Sequence, residues 1–135
     1  MDERRELAAE RVAGLLAGVE DGRPLVMINR LRYRAQADYG GAVGVEPCSG
    51  REAYQRYAAE AIRFIKAVDG EVLWRGSGKA VIIGEPGERW DKAILVRYPS
   101  KEAFLEMVSN PEYQAITFHR TAALEDSRLI ATTTV

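Results

Sequence analysis

The sequence predicts one α+β domain, with a single antiparallel sheet backed by helices on one face. Three observations carry this. Strand-like alternation recurs in short runs from residue 25 to residue 134. Two capped helical stretches with apolar stripes interrupt them. The order is strand, helix, a run of strands, helix, strand, preceded by one extra N-terminal helix. At 135 residues the chain fits one domain and buries a core without disulfide or metal staples.

Composition narrows the class. Apolar residues make up 47% and charged residues 29%, which is ordinary for a globular protein. Nineteen basic side chains face 20 acidic ones, for a net charge of −1. A dedicated nucleic-acid binder would be clearly basic, so none is expected. Cys48 is the single cysteine. It permits no internal disulfide, and a reducing compartment follows. The segment Met1-Asp2-Glu3-Arg4-Arg5-Glu6 is charged and leads into no long apolar run, so neither a signal peptide nor a membrane span is expected. The expected location is cytoplasmic.

Residues 3–19 carry Leu7, Val12, Leu15, Leu16 and Val19 near one helical face, and Asp21-Gly22 ends that helix. Residues 25–34 alternate. Leu25, Met27, Leu31 and Tyr33 fall on one face, interrupted by Asn29, and Val26, Ile28, Arg30, Arg32 and Arg34 fall on the other. Residues 35–50 form a glycine-rich loop, longer than most connections. Ser49-Gly50-Arg51-Glu52 has capping-box form and opens a second helix. Tyr54, Tyr57, Ala58, Ala61, Ile62, Ile65 and Val68 mark its buried stripe, and Asp69-Gly70 ends it.

Three strand-like runs come next: Glu71–Arg75, Lys79–Glu85 and Trp90–Tyr98. Gly76-Ser77-Gly78 reads as a hairpin turn between the first two. Ser100 caps a further helix, Asn110-Pro111 breaks it, and a last helical piece runs to about Leu124. Glu125-Asp126 reads as a turn, and Arg128–Thr134 as the final strand. Set aside the first helix, and this is the split βαβ order of a ferredoxin-like βαββαβ fold. The expected division is residues 1–22 as a helical extension and 23–135 as the domain.

Several strings resemble the family numbered 1330 among domains of unknown function, within the dimeric α+β barrel superfamily. They are Val26–Tyr33, Cys48–Tyr54, Leu73–Gly76, Tyr98-Pro99-Ser100, Asn110–Ala115 and His119–Leu129. The resemblance spans roughly residues 24–133. It implies a homodimer packed through the sheet face and a pocket between sheet and helices. It does not choose a chemistry, because superfamily relatives include cofactor-free monooxygenases, isomerases and haem enzymes.

The residues themselves offer few chemical motifs. Arg75-Gly76-Ser77-Gly78-Lys79 lacks the first glycine and the final Ser or Thr of a phosphate loop. His119 is the lone histidine, a candidate acid/base whose bland reading is a surface or satisfied histidine. Cys48 reads as a buried thiol rather than a nucleophile. Asn29 would orient a ligand or bond to a loop. Arg32 and Arg75 suit a carboxylate or phosphate, or else pair with strand-end acids. Tyr39, Trp74 and Tyr98 would wall an aromatic pocket or fill core and interface.

The reading that gathers these is a small-molecule-binding homodimer. It is either a cofactor-independent enzyme of isomerase or monooxygenase type, or a non-catalytic ligand-binding or regulatory dimer, or a structural module. In the enzyme reading His119 is the acid/base. Asn29, Arg32, Tyr39, Trp74, Arg75 and Tyr98 line the site, residues 35–48 cover it, and the ligand is a small anionic or aromatic metabolite. Neither cofactor nor metal is expected, and no histidine pair has helical spacing.

Overall fold

Strands β1 (Leu25–Tyr33), β2 (Glu71–Ser77), β3 (Lys92–Tyr98) and β4 (Leu124–Thr132) form one antiparallel sheet in the order β2-β3-β1-β4. With the helices between them this is the ferredoxin-like α+β fold, preceded by an N-terminal helix. The structure is a computed structural model and describes residues 6–42 and 44–135. Among these residues no helix is long and apolar enough to cross a membrane.

The alternation in β1 sets the two faces. Leu25, Met27, Leu31 and Tyr33 are buried beneath the helices, and Asn29 lies half-buried among them. The registers Leu25↔Tyr98, Met27↔Val96 and Asn29↔Ile94 bring the buried side chains of β3 onto the same face. The opposite face carries Val26, Ile28, Arg30 and Arg32, with Leu95 across from Ile28 on one side and Ile130 on the other. Among the described residues no helix or strand forms a layer over the apolar part of it.

Helix α2 (Gly50–Ala67) starts where the sequence places it. Ser49 Oγ accepts from the Glu52 amide at 3.1 Å, and Glu52 Oε1 accepts from the Ser49 amide at 3.1 Å. Two orphan donors at the helix start are thereby satisfied. The buried stripe is Ala53, Tyr54, Tyr57, Ala61 and Phe64. Phe64 joins a stripe expected to run through Ile62 and Ile65, which are only half-buried. Ser100 Oγ caps α3 (Lys101–Ser109) by accepting from Ala103 N. The last helical stretch is two pieces, α4 (Pro111–Gln114) and α5 (Thr117–Ala123).

Several expected boundaries move. The first helix, α1, spans Ala9–Leu15, and residues 3–5 of the expected helix lie outside the described residues. The hairpin at Gly76-Ser77-Gly78 and the strand at Lys79–Glu85 do not form. Strand β2 runs on through Ser77, and its partner is β3, with Ser77 opposite Lys92. Residues 78–91 become an arm closed at its base by the Gly78 amide donating to Asp91 O at 3.0 Å. Ile82 and Ile83 on that arm are 88% and 94% exposed. The run has strand propensity but pairs with no strand: β2 takes β3 as its partner, and the outer edge of β2 stays open. Strand β4 begins at Leu124, so Glu125 and Asp126 are strand residues rather than a turn. Asp126 pairs with Arg32 in register.

Candidate functional site

The long loop returns to the helices and brings Tyr39 against α5. The loop is tied down: the Ala37 amide donates to Cys48 O and the Asp38 amide to Ala122 O, both at 2.9 Å. Asp38 Oδ1 accepts from the Gly40 amide at 2.9 Å. Gly40 and Gly41 turn the chain with φ of 65° and 81°, a region that glycine enters without penalty. Cys48 is a buried free thiol beneath this loop.

Tyr39 Oη lies 2.7 Å from His119 Nδ1. Arg56 Nη1 donates to the same Oη at 3.3 Å and to Glu46 O at 3.2 Å. Phe118 stacks on the His119 ring at 4.1 Å between centroids and meets Tyr39 edge-on at 5.7 Å. Burial lowers the His119 pKa from its ordinary value, and the Arg56 charge lowers it further, against a smaller opposing effect of Glu60. The neutral imidazole is therefore favoured, and its Nδ1 can accept the tyrosine proton.

Tyr39 and Phe118 wall a cleft of about 660 Å³ that also takes in Leu7, Arg34, Asp38 and Arg120. A second cleft of about 400 Å³, lined by Leu16, Met27, Phe104 and Leu129, shares Glu6, Leu7 and Arg120 with the first. Arg120 is 8% exposed, the buried charged residue among the described residues. Its Nη2 donates to Asn29 Oδ1 at 3.4 Å. Its charge offsets part of the burial effect on the nearby phenols of Tyr54, Tyr57 and Tyr113.

The residues expected to share one site are distributed over four places. Asn29, Tyr39 and His119 lie on the helix side, where Asn29 meets Arg120 and Tyr39 meets His119. Arg75 is exposed near the sheet edge, where its charge helps to lower the Lys92 pKa, second to burial. Tyr98 is a core residue, packed edge-on against Phe104 at 5.0 Å with its hydroxyl toward Met107 Sδ. Trp74 points away from the helices, 53% exposed on edge strand β2. Arg32 is on the outer face too. It pairs with Glu125 and Asp126 there, and it lies with Arg30 and Arg128 around the Trp90 ring. One helix-side pocket thus cannot hold Arg32, Trp74 and Tyr98, because strand alternation sends the first two to the opposite face and packing seals in the third.

Residues 43–134 match the family model described as a domain of unknown function, DUF1330. The chain belongs to the DUF1330 family. Two crystal structures of RPA0582, described as a protein of unknown function from Rhodopseudomonas palustris, share this member's fold across nearly its whole length. The methylated form is 34% identical with a TM-score of 0.84, covering 95% of this chain and 92% of that one. The other is 32% identical with a TM-score of 0.83, covering 93% of each. A hydroxynitrile lyase from Passiflora edulis is 11% identical with a TM-score of 0.56, covering 84% of this chain and 95% of that one. A protein of unknown function from Bacteroides fragilis, described as dimeric, is 13% identical with a TM-score of 0.50, covering 85% and 100%. At such identities the last two share the fold alone. No curated protein matches this DUF1330 chain.

Proposed function

We propose that this DUF1330 protein is a homodimer that binds a small molecule in the helix-side cleft and moves a proton on it without a cofactor. The observation that carries this is the Tyr39–His119 contact of 2.7 Å at the cleft wall, with Arg56 donating to the same oxygen. Tyr39 would take a proton from a ligand carbon or oxygen as its own proton passes to His119 Nδ1. The proton returns by the same path, as an isomerisation requires. The Arg56 guanidinium, donating to the same oxygen, stabilises the partial negative charge it carries while it exchanges one proton for the other.

The test uses a ligand found by thermal shift with the purified protein. A ligand far above its dissociation constant raises stability by about 2–4 kcal/mol, a readable shift. Tyr39→Phe and His119→Ala are expected to keep binding within a few fold and to lose turnover by about 100-fold or more. Wild-type turnover should fall as pH drops through the lowered His119 pKa, since protonation removes the acceptor. Turnover at the wild-type rate in both variants would sink the catalytic reading and leave a binding protein.

The dimer rests on the uncovered outer sheet face. Val26, Ile28, Leu95 and Ile130 form an apolar strip there, flanked by Trp74, and the helices occupy the other face only. Exposed apolar area of this kind marks an interface. The arm with Ile82 and Ile83 adds further apolar surface for a second copy to cover. Leu95→Glu should convert the dimer to monomer in sedimentation at micromolar concentration. A wild-type monomer under those conditions would overturn the assembly.

A further inference from the structure

Arg120 is buried, and a buried guanidinium normally has a carboxylate beside it. Among the described residues Arg120 forms no ion pair. Its hydrogen bond to Asn29 is 3.4 Å long, near the limit for such a bond. A guanidinium has five N–H donors, so most of its hydrogen-bonding capacity is unused. Arg120 also lines both helix-side clefts, at the wall they share.

A second arginine stands in the larger cleft. Arg34 follows the end of β1, where its amide donates to Ala123 O and its carbonyl accepts from the Gly50 amide. Its backbone is therefore fixed at a junction of three elements. Its Nε is buried with no hydrogen-bond partner. Among the described residues the acids on the same walls are Asp38, which has one oxygen engaged by the Gly40 amide, and Glu6, which forms no ion pair with either arginine. The rest of the wall includes Leu7, Phe118 and Ala122.

We infer that the helix-side cleft is a receptor for a monocarboxylate with an apolar body, its carboxylate received by Arg120 and Arg34. The guanidinium fork matches a carboxylate in plane and spacing. The apolar wall takes the body of the ligand. Asp38 and Glu6 disfavour a doubly charged phosphate, which their carboxylates repel more strongly than a singly charged carboxylate. This inference rests on the proposal that the cleft is a ligand pocket, and it adds the ligand class.

The experiment is an NMR titration of the purified full chain with benzoate, benzamide and inorganic phosphate. Benzoate is expected to shift amides around Tyr39, Phe118 and Arg120, and benzamide to bind at least about tenfold more weakly. Arg120→Met should weaken benzoate by about tenfold or more and leave the melting temperature unchanged or raised, because an uncompensated buried charge is removed. Arg34→Met, whose side chain is less buried, provides the second variant should Arg120→Met fail to fold, and should also weaken benzoate. Equal binding of benzoate and benzamide would overturn the carboxylate class and keep the pocket. Phosphate binding without benzoate binding would replace the class with a small oxyanion. Binding of none of the three at high millimolar concentration would overturn the pocket together with the inference. A large loss of stability in Arg120→Met with benzoate affinity intact in Arg34→Met would make Arg120 a structural residue and end the argument.

Discussion

Replacing Gly50 by alanine is expected to destabilise the protein by about 3 kcal/mol or more. A β-carbon at this position would sit 2.2 Å from Arg34 O, 2.6 Å from Ala123 O and 2.8 Å from Arg34 N. All three are backbone atoms, so no side chain can swing aside. The end of β1, the start of α2 and the end of α5 meet here backbone to backbone. The Gly50 amide donates to Arg34 O at 3.1 Å, and the Arg34 amide donates to Ala123 O at 2.9 Å. Conformational freedom is not the reason, since Gly50 is not among the residues with positive φ. Gly41→Ala separates the two effects. Gly41 has a φ of 81° and open space around it, so alanine there should cost only about 1–2 kcal/mol of left-handed strain. Urea unfolding of both variants measures the contrast. Equal losses would mean that the three-way junction is looser than its contacts imply. Arg34 is part of that junction, so Gly50→Ala should also disturb the larger cleft.

What was legible in the sequence is what depends on neighbours in the chain. The β1 alternation gave the buried set Leu25, Met27, Leu31 and Tyr33 because a strand facing helices has a period of two residues. The start of α2 was legible because a capping box is closed within four residues. The Lys79–Glu85 run was misread because Val81, Ile82 and Ile83 state a preference for strand but not a partner. Whether a strand forms depends on long-range pairing, and β2 pairs with β3 rather than with this run.

The site was less legible, for reasons of distance and chemistry. Tyr39 and His119 were both candidates, but their contact joins residues 80 apart in the chain. No spacing rule reaches across a loop of that size. Arg32 and Trp74 were assigned to the same pocket as Asn29 by residue type, whereas strand register assigns their side chains to the other face. Arg120 was missed altogether. An arginine in a helix rich in polar residues reads as solvated, and only tertiary packing of α5 against α2 and β1 buries it. The available signal was weak: Thr121, Ala122 and Ala123 follow it, and two of those three are buried.

The tyrosine cluster beneath Arg120 carries the second large effect. Tyr113→Ala is expected to cost about 3–5 kcal/mol, the range for removing a fully buried aromatic ring. Tyr113 is 1% exposed. Its ring meets Phe64 edge-on at 5.7 Å and Tyr57 at 6.3 Å, and its hydroxyl lies 2.6 Å from Tyr57 Oη. Tyr113→Phe keeps the ring and removes only the hydroxyl, leaving the buried Tyr57 oxygen short of a partner. That variant should cost about 1–2 kcal/mol. The difference between the two is the contribution of ring packing, readable by thermal or urea unfolding. Alkali gives an independent check. Burial pushes the Tyr113 pKa up from its ordinary 10.0 to about 12, and burial raises Tyr57 as well. Above the ordinary value the unfolded chain loses phenol protons that the folded state keeps. Stability is then fully present below about pH 10 and falls as pH rises toward the folded value. Tyr113→Phe removes one of the two phenols, so its stability should fall less steeply over that interval. An identical alkaline slope in wild type and Tyr113→Phe would show that the Tyr57–Tyr113 pair is not the buried, coupled contact its 2.6 Å separation indicates.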